Sequence, residues 1–330
     1  MTPRLVAALR REPVDRTPVW AMRQAGRYLP EYRELRQRHG FQEAVSDPDI
    51  AVEITLQPIR RFAMDGAVIF ADIMTPLEAM GVPVTFDPGP RLRPHTVAEV
   101  AGLGELDPGR IGHVAATVAG VRAEVPEDVT VIGFAGAPVT LLAYLLEGGG
   151  STGFMAVRAA VAEDPGAVTA ALATLARAMR RYLKVQVEAG AGAVQLFDTW
   201  AGLLSRAKFE ALAVPAARTV LEGLAVPSIY FAPGAGHALD LISGVGATGY
   251  GVDWRLAIDE AWDVLGAVAV QGNLDPAVLL TDRATVSRAV DDILDRVAGR
   301  PGHVFNLGHG VDRATSPELV GAMVEAVRDR

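Results

Sequence analysis

Short apolar-rich runs alternate along this chain with longer stretches whose apolar residues recur at helical spacing. The runs at 67–70, 129–134, 193–197, 227–231, 249–252, 267–270 and 303–306 predict strands, several with the near-continuous apolar character of strands buried on both faces. Residues 18–22 (Pro-Val-Trp-Ala-Met) add a first strand ahead of them. A short helix is expected within 1–17, ending near Pro13. Others run from Asp47-Pro48 to about Met64, over 111–125, through Tyr144, from Asp164-Pro165 to Glu188, and over about 205–224. Two more helical stretches follow Asp275-Pro276, and Ser316-Pro317 opens the last helix. In the Asp-Pro and Ser-Pro pairs the first residue can cap, and proline suits the first helical turn. Residues 84–92 read as a hairpin inserted beyond the second strand.

Eight strands alternating with helices, without a linker or compositional break, place the chain in the α/β class. The expected architecture is a single (β/α)8 TIM barrel domain over residues 1–330, with an N-terminal extension and a hairpin after strand 2. A doubly wound open sheet is the rival, but no Gly-x-Gly-x-x-Gly follows the first strand. A barrel carries its chemistry at the C-terminal ends of its strands. Those ends lead to Arg23 and Arg27, to Asp72, to Phe134 and on to Tyr144, to Asp198 and Thr199, and to His309.

The stretch 22–32 (Met-Arg-Gln-Ala-Gly-Arg-Tyr-Leu-Pro-Glu-Tyr) reads as a shaped loop. Pro30 discourages a helix from running through it, and Gly26 permits close backbone approach or a positive φ. Two guanidinium forks with backbone N–H groups between them suit a ligand bearing several carboxylates. The alternative is two solvated arginines paired with Glu31 and Glu34. Each other candidate also has a structural alternative: Asp72 a turn cap, Tyr144 a core aromatic, Thr199 a local cap, His309 a packing histidine.

Composition narrows the chemistry. The net charge is −8, which argues against general nucleic-acid or membrane-surface binding, although residues 1–38 hold nine arginines against four carboxylates. Such a patch would attract a small polyanion. There is no cysteine, hence no disulfide, thiolate nucleophile or Cys-ligated metal. His39, His95, His113, His237 and His303 show no metal-ligand spacing, and no metal is expected. The uncharged run 129–146 is interrupted by Gly133, Gly136 and Pro138, so it reads as strand, loop and helix, not as a membrane span. Charge interrupts the N-terminus before a signal sequence can form, and the expectation is a soluble, cytoplasmic protein. Residues 148–151 (Gly-Gly-Gly-Ser) lack the lysine and strand context of a phosphate cradle and read as a lid or turn.

Residues 23–30 (Arg-Gln-Ala-Gly-Arg-Tyr-Leu-Pro) resemble the N-terminal signature of the uroporphyrinogen decarboxylases. Residues 133–140 are similar to that family's second signature. The segments 145–151, 197–202, 251–255, 271–276 and 306–310 resemble further family segments in the same order. Val139 stands where an aromatic is usual, Thr199 where serine is common, and 311–316 is an unusual tail to the last motif. The resemblance implies decarboxylation of the four acetates of uroporphyrinogen III to give coproporphyrinogen III, with no cofactor, in a cytoplasmic barrel that is usually a homodimer. Carried over, Asp72, Arg23 and Arg27 are catalytic. Asp72 lies under the macrocycle, where it accepts from pyrrole N–H groups. Arg23, Gln24, Ala25, Gly26 and Arg27 bind peripheral carboxylates, the middle three through the backbone. Phe134 packs on the ring, and Tyr144, Thr199 and His309 fix the remaining side chains. A corrinoid-linked methyltransferase on the same fold is the first alternative, weakened by the missing cysteine. A non-catalytic porphyrin carrier is the second.

Overall fold

The apolar runs build a seven-stranded parallel sheet in the computed structural model, which describes residues 2–86, 89–151 and 153–330. The strands are β1 (Gly66–Val68), β2 (Thr130–Gly136), β3 (Ala193–Phe197), β4 (Ser228–Phe231), β5 (Gly249–Gly251), β6 (Ala269–Leu274) and β7 (His303–Leu307), hydrogen-bonded in sequence order. Helices carry the crossovers, the longest being Pro165–Glu188 between β2 and β3. In every one of the seven strands all residues but Phe197 are buried, as expected of a sheet covered on both faces.

The expected first strand is not a ladder strand. Residues 18–22 make one bridge, Val19 to Phe305 of β7. There the Phe305 N–H donates to the Pro18 carbonyl at 2.9 Å, and the Trp20 N–H to the Phe305 carbonyl at 3.3 Å. On the other side the Asp65 N–H donates to the Val19 carbonyl at 2.9 Å. The segment thus spans the gap between the outer strands and closes the barrel. Its other donors go to side chains: Val19 N–H to Asp65 Oδ2 at 2.9 Å and Met22 N–H to Asn306 Oδ1 at 3.0 Å. Pro18 has no N–H to give. A regular ladder cannot form when side chains take its hydrogen bonds.

The N-terminal extension plugs the barrel's base. Helix Arg4–Leu9 is short but buried, and a Cβ placed on Gly66 would lie 3.1 Å from the Leu5 side chain. A Cβ on Gly249 would lie 2.9 Å from that of Leu9. Inside the barrel a file of buried polar groups runs from strand to strand. The Trp20 indole N–H donates to Gln271 Oε1 at 3.0 Å, and Gln271 Nε2 to Gln195 Oε1 at 3.0 Å.

The hairpin forms as expected, Thr85–Phe86 against Pro90–Arg91, with the expected Asp87 and Pro88 lying outside the described residues. It docks on the glycine turn: Leu92 N–H donates to the Gly148 carbonyl at 3.0 Å, and a Cβ on Gly149 would stand 2.9 Å from the Pro90 carbonyl. Helices Pro30–Arg38 and Phe41–Ser46 were not evident in the pattern; the first buries only Tyr32 and has almost no apolar face to reveal it. The helix expected over about 205–224 forms from Arg206 to Leu221, widening to a π-helical turn at Phe209–Ala213.

Asp65 is the tie between extension, seam and β1. Its carboxylate, with a side chain only 4% exposed, accepts from Arg4 at 2.7 Å and from both terminal nitrogens of Arg16 at 2.8 Å, besides Val19. Removing one partner of a buried ionic cluster strands the others, so Asp65→Ala should cost roughly 3–5 kcal/mol of stability in urea unfolding. A loss below about 1 kcal/mol, the scale of an exposed ion pair, would show that the seam does not depend on it.

Candidate active site

At the C-terminal mouth, the loop after the seam is anchored through Gln24. Its side chain is fully buried, accepting from the Ala21 N–H at 3.1 Å and donating to the Gly66 carbonyl at 2.9 Å. Its own N–H goes to the Ala21 carbonyl, and its carbonyl accepts the Tyr28 hydroxyl at 2.7 Å. Gln24 therefore shapes the loop, and its hydrogen-bonding groups already have protein partners. The N–H groups of Ala25, Gly26 and Arg27 have none among the described residues.

Gly26 does not adopt a positive φ; the left-handed residue is Arg23, at φ 60°. The other expectation, close backbone approach, fits instead: a Cβ there would press within 3.2 Å of the Arg23 carbonyl. The pairs considered for Arg23 and Arg27 do not form. Glu31 pairs with Arg61 at 3.2 Å, and Glu34 with Arg38. Both loop guanidiniums are exposed and make no ion pair or hydrogen bond among the described residues.

Asp72 follows β1. Its Oδ1 accepts the Met74 N–H at 2.8 Å, so the turn-capping alternative holds for that oxygen; Oδ2 meets no protein donor among the described residues. Desolvation pushes the carboxyl up to about 6, against the Met74 hydrogen bond and with a small push from Glu78. Asp198 after β3 is also pushed up by burial to about 6, yet its oxygens are engaged by the Thr140 hydroxyl at 2.9 Å and the Tyr230 hydroxyl at 2.8 Å. Asp198 anchors helix Pro138–Glu147 from below. Asp72 is the carboxylate left with an open acceptor.

Tyr144, on that helix, has its hydroxyl pKa raised by burial; Trp200 lowers it, the Asp72 charge raises it and the Arg23 charge lowers it. His309, after β7, is lowered by burial and by Arg23 and Arg255, so it is neutral at pH 7. Arg23, Asp72, Tyr144 and His309 therefore share one field at the mouth. Thr199 is half-buried with its hydroxyl unpaired among the described residues. Phe134 on β2 is buried and meets Phe197 edge-on at 5.7 Å, and Phe197 meets Phe231 at 6.3 Å. Phe197 and Phe231 are register partners at the ends of β3 and β4, and both escaped the sequence reading. Their position as the last residue of consecutive strands was the available signal.

A cleft of 780 Å³ lies elsewhere, at the base of the barrel between residues 11–17 and 294–303. Its arginines are committed: Arg16 to Asp65, Arg300 to Asp263, Arg330 to Asp291 and Asp295, and Arg11 to the Ala267 carbonyl at 3.0 Å. Among the described residues, the mouth combines guanidiniums without a protein partner, an open carboxylate oxygen and an aromatic row. Among the described residues no cluster of three His, Asp or Glu side chains could hold a metal. No helix of those residues is long and apolar enough to cross a membrane.

The family model described as "Uroporphyrinogen decarboxylase (URO-D)" matches residues 1–330. A uroporphyrinogen decarboxylase of Myxococcus xanthus is 44% identical over 99% of this chain and 96% of its own length. That of Syntrophotalea carbinolica is 43% identical over 96% and 94%. Among solved structures, a methyltransferase from Methanosarcina mazei superposes with a TM-score of 0.82 over 99% of this chain and 97% of its own, at 22% identity, and supports the fold alone.

The open carboxylate of Asp72 has a consequence for stability. An ordinary aspartate titrates near 3.8, and folded Asp72 near 6, so the folded state holds the proton more tightly. Its contribution is greatest below the lower value and is lost as pH rises through the upper one. Asp72→Asn keeps an acceptor for Met74 and removes that loss. The variant should be more stable than the parent by about 3 kcal/mol at pH 7.5, with the gap vanishing below pH 4. Urea titrations at both pH values test this; equal stability at pH 7.5 would mean that Asp72 is not held in an uncompensated site.

Proposed function

The chain belongs to the uroporphyrinogen decarboxylase family and is a carboxy-lyase, and from that premise we propose how its own residues decarboxylate the four acetates of uroporphyrinogen III. The observation that carries the reading is the unpaired oxygen of Asp72 at a mouth where Asp72 and the unpaired Arg23 both act on the Tyr144 hydroxyl.

Loss of carbon dioxide from a pyrrole acetate would leave a poorly stabilised carbanion. Protonation of the adjacent pyrrole carbon turns the ring into an electron sink. The C–CO2 bond then breaks, its electron pair flows into the ring and leaves an exocyclic methylene, and a second proton completes the methyl as the first departs. The net change at each acetate is uptake of one proton and release of carbon dioxide. The ring passes through a cationic state, and a fixed anion beneath it lowers that barrier. Asp72 accepts from the pyrrole N–H groups, which are donors only, and these bonds draw its raised pKa down and hold it ionised.

Arg23 and Arg27 hold peripheral carboxylates, joined by the free N–H groups of Ala25 and Gly26. Tyr144, Thr199 and His309 donate to the remaining side chains, neutral His309 through a ring N–H. Phe134, with Phe197 and Phe231, packs on the macrocycle. The reacting acetate must stay ionised without being gripped tightly, so its arginine guides more than it binds. We read residues 1–330 as one barrel domain acting as a cytoplasmic homodimer, on the strength of full-length similarity to the family. The methyltransferase alternative is disfavoured by the absence of cysteine and by identity twice as high to the decarboxylases as to the structural neighbour. A carrier would have no use for a desolvated charge aimed at the ring.

Asp72→Asn should lower kcat by roughly 10²–10³, the scale of a lost preorganised electrostatic contact. In the parent, kcat/KM should fall below pH 6, where free Asp72 takes up a proton, and the variant should lack this limb. Near-parental turnover, or an unchanged acid limb in the variant, would remove Asp72 from the mechanism.

A further inference from the structure

We propose that Asn306 and Gly310 are positioning residues for the Arg23 guanidinium: they fix where the loop can present it to a substrate carboxylate. The inference rests on the carboxylate-binding role given to Arg23 above. Asn306 is fully buried near the end of β7 and faces the barrel interior, on the side of Gln271's register partner Val304. Its Oδ1 accepts two backbone N–H groups, Met22 at 3.0 Å and Leu307 at 2.8 Å. Both are donors only, so chemistry fixes which end of the amide faces them.

The other side of Met22 is held by the same segment: the Val311 N–H donates to the Met22 carbonyl at 2.9 Å. With both its polar backbone groups tied to residues 306–311, Met22 leaves Arg23 little choice of direction. Arg23 takes φ 60°, a conformation uncommon for residues with a side chain. Its side chain then lies across Gly310, where a Cβ would sit 2.7 Å from Arg23 Cγ and 3.1 Å from its Cβ. Asn306 thus sets the Ala21–Met22 peptide, the Val311 N–H sets the Met22–Arg23 peptide, and Gly310 leaves the space the Arg23 stem occupies. His309 lies between them and feels the Arg23 charge, so one segment fixes two substrate-binding groups relative to each other.

Asn306 also carries a cost. Its Nδ2 is buried without a partner among the described residues. An unsatisfied donor of this kind is unfavourable, and it concentrates where geometry outranks packing. The left-handed arginine next to it is the geometry being kept.

The test is a pair of double-mutant cycles with uroporphyrinogen III as substrate. Asn306→Leu and Gly310→Ala are each measured in the parent and in an Arg23→Ala background. Each should lower kcat/KM about tenfold in the parent, mainly through KM, as contacting residues do when coupled, and by less than about twofold once Arg23 is absent. Equal losses in both backgrounds would show that these residues act independently of Arg23 and would overturn the inference. Should Asn306→Leu fail to fold, Gly310→Ala decides alone, because it crowds the Arg23 stem without touching the seam. An Arg23→Ala enzyme with parental kcat/KM would overturn the role of Arg23 itself. An impaired Arg23→Ala enzyme in which the Asn306 and Gly310 losses persist would overturn only the positioning.

Discussion

A seven-stranded sheet leaves a gap between its first and last strands, and the way residues 18–22 fill it controls the rest of the molecule. Proline supplies no donor, so the segment cannot simply be an eighth strand. Buried side chains hold it instead, Asp65 at its start and Asn306 at its end. Asp65 couples it to the arginines of the N-terminal extension that plugs the base. Asn306 couples it to β7 at the mouth. The segment that closes the barrel is therefore also the one that delivers Arg23, and stability at one end is bound to ligand geometry at the other.

The mouth is organised by charge that the protein does not neutralise. Asp72 and Asp198 are both desolvated carboxylates pushed up to about 6. Two hydroxyls satisfy Asp198, whereas Asp72 keeps one oxygen without a protein donor among the described residues. Arg23 and Arg27 are equally uncommitted, although many arginines around them are paired. A ligand with carboxylates at its rim and N–H groups at its centre meets each of these demands.

Much of this was legible in the chain. Seven of the eight expected strands form, because a strand buried on both faces advertises itself as an apolar run. Residues 18–22 misled because their pattern was right and their hydrogen-bond partners, Asp65 and Asn306, lie far off in sequence. The basic cluster of residues 1–38 suggested a patch, but Arg4 and Arg16 turn inward to Asp65, and charge counting does not see pairing. Gly26 was expected to allow close backbone approach or a positive φ; the close approach is there, while the left-handed conformation fell on Arg23, since tertiary ties at Met22 override local preference. Gln24 looked like a loop contact and is a buried strut. Motif position marked Asp72, Tyr144 and His309, and the fold brings them into one field with Arg23; which strand-end aromatics would join Phe134 needed the register.

The most direct measurement is an anaerobic assay of the parent enzyme with chemically reduced uroporphyrinogen III and EDTA, without added cofactor, with products separated by carboxylate number. The account predicts successive species with seven, six, five and four carboxylates, each step releasing one carbon dioxide. Unchanged substrate from folded protein, or activity that EDTA abolishes and a metal restores, would contradict it.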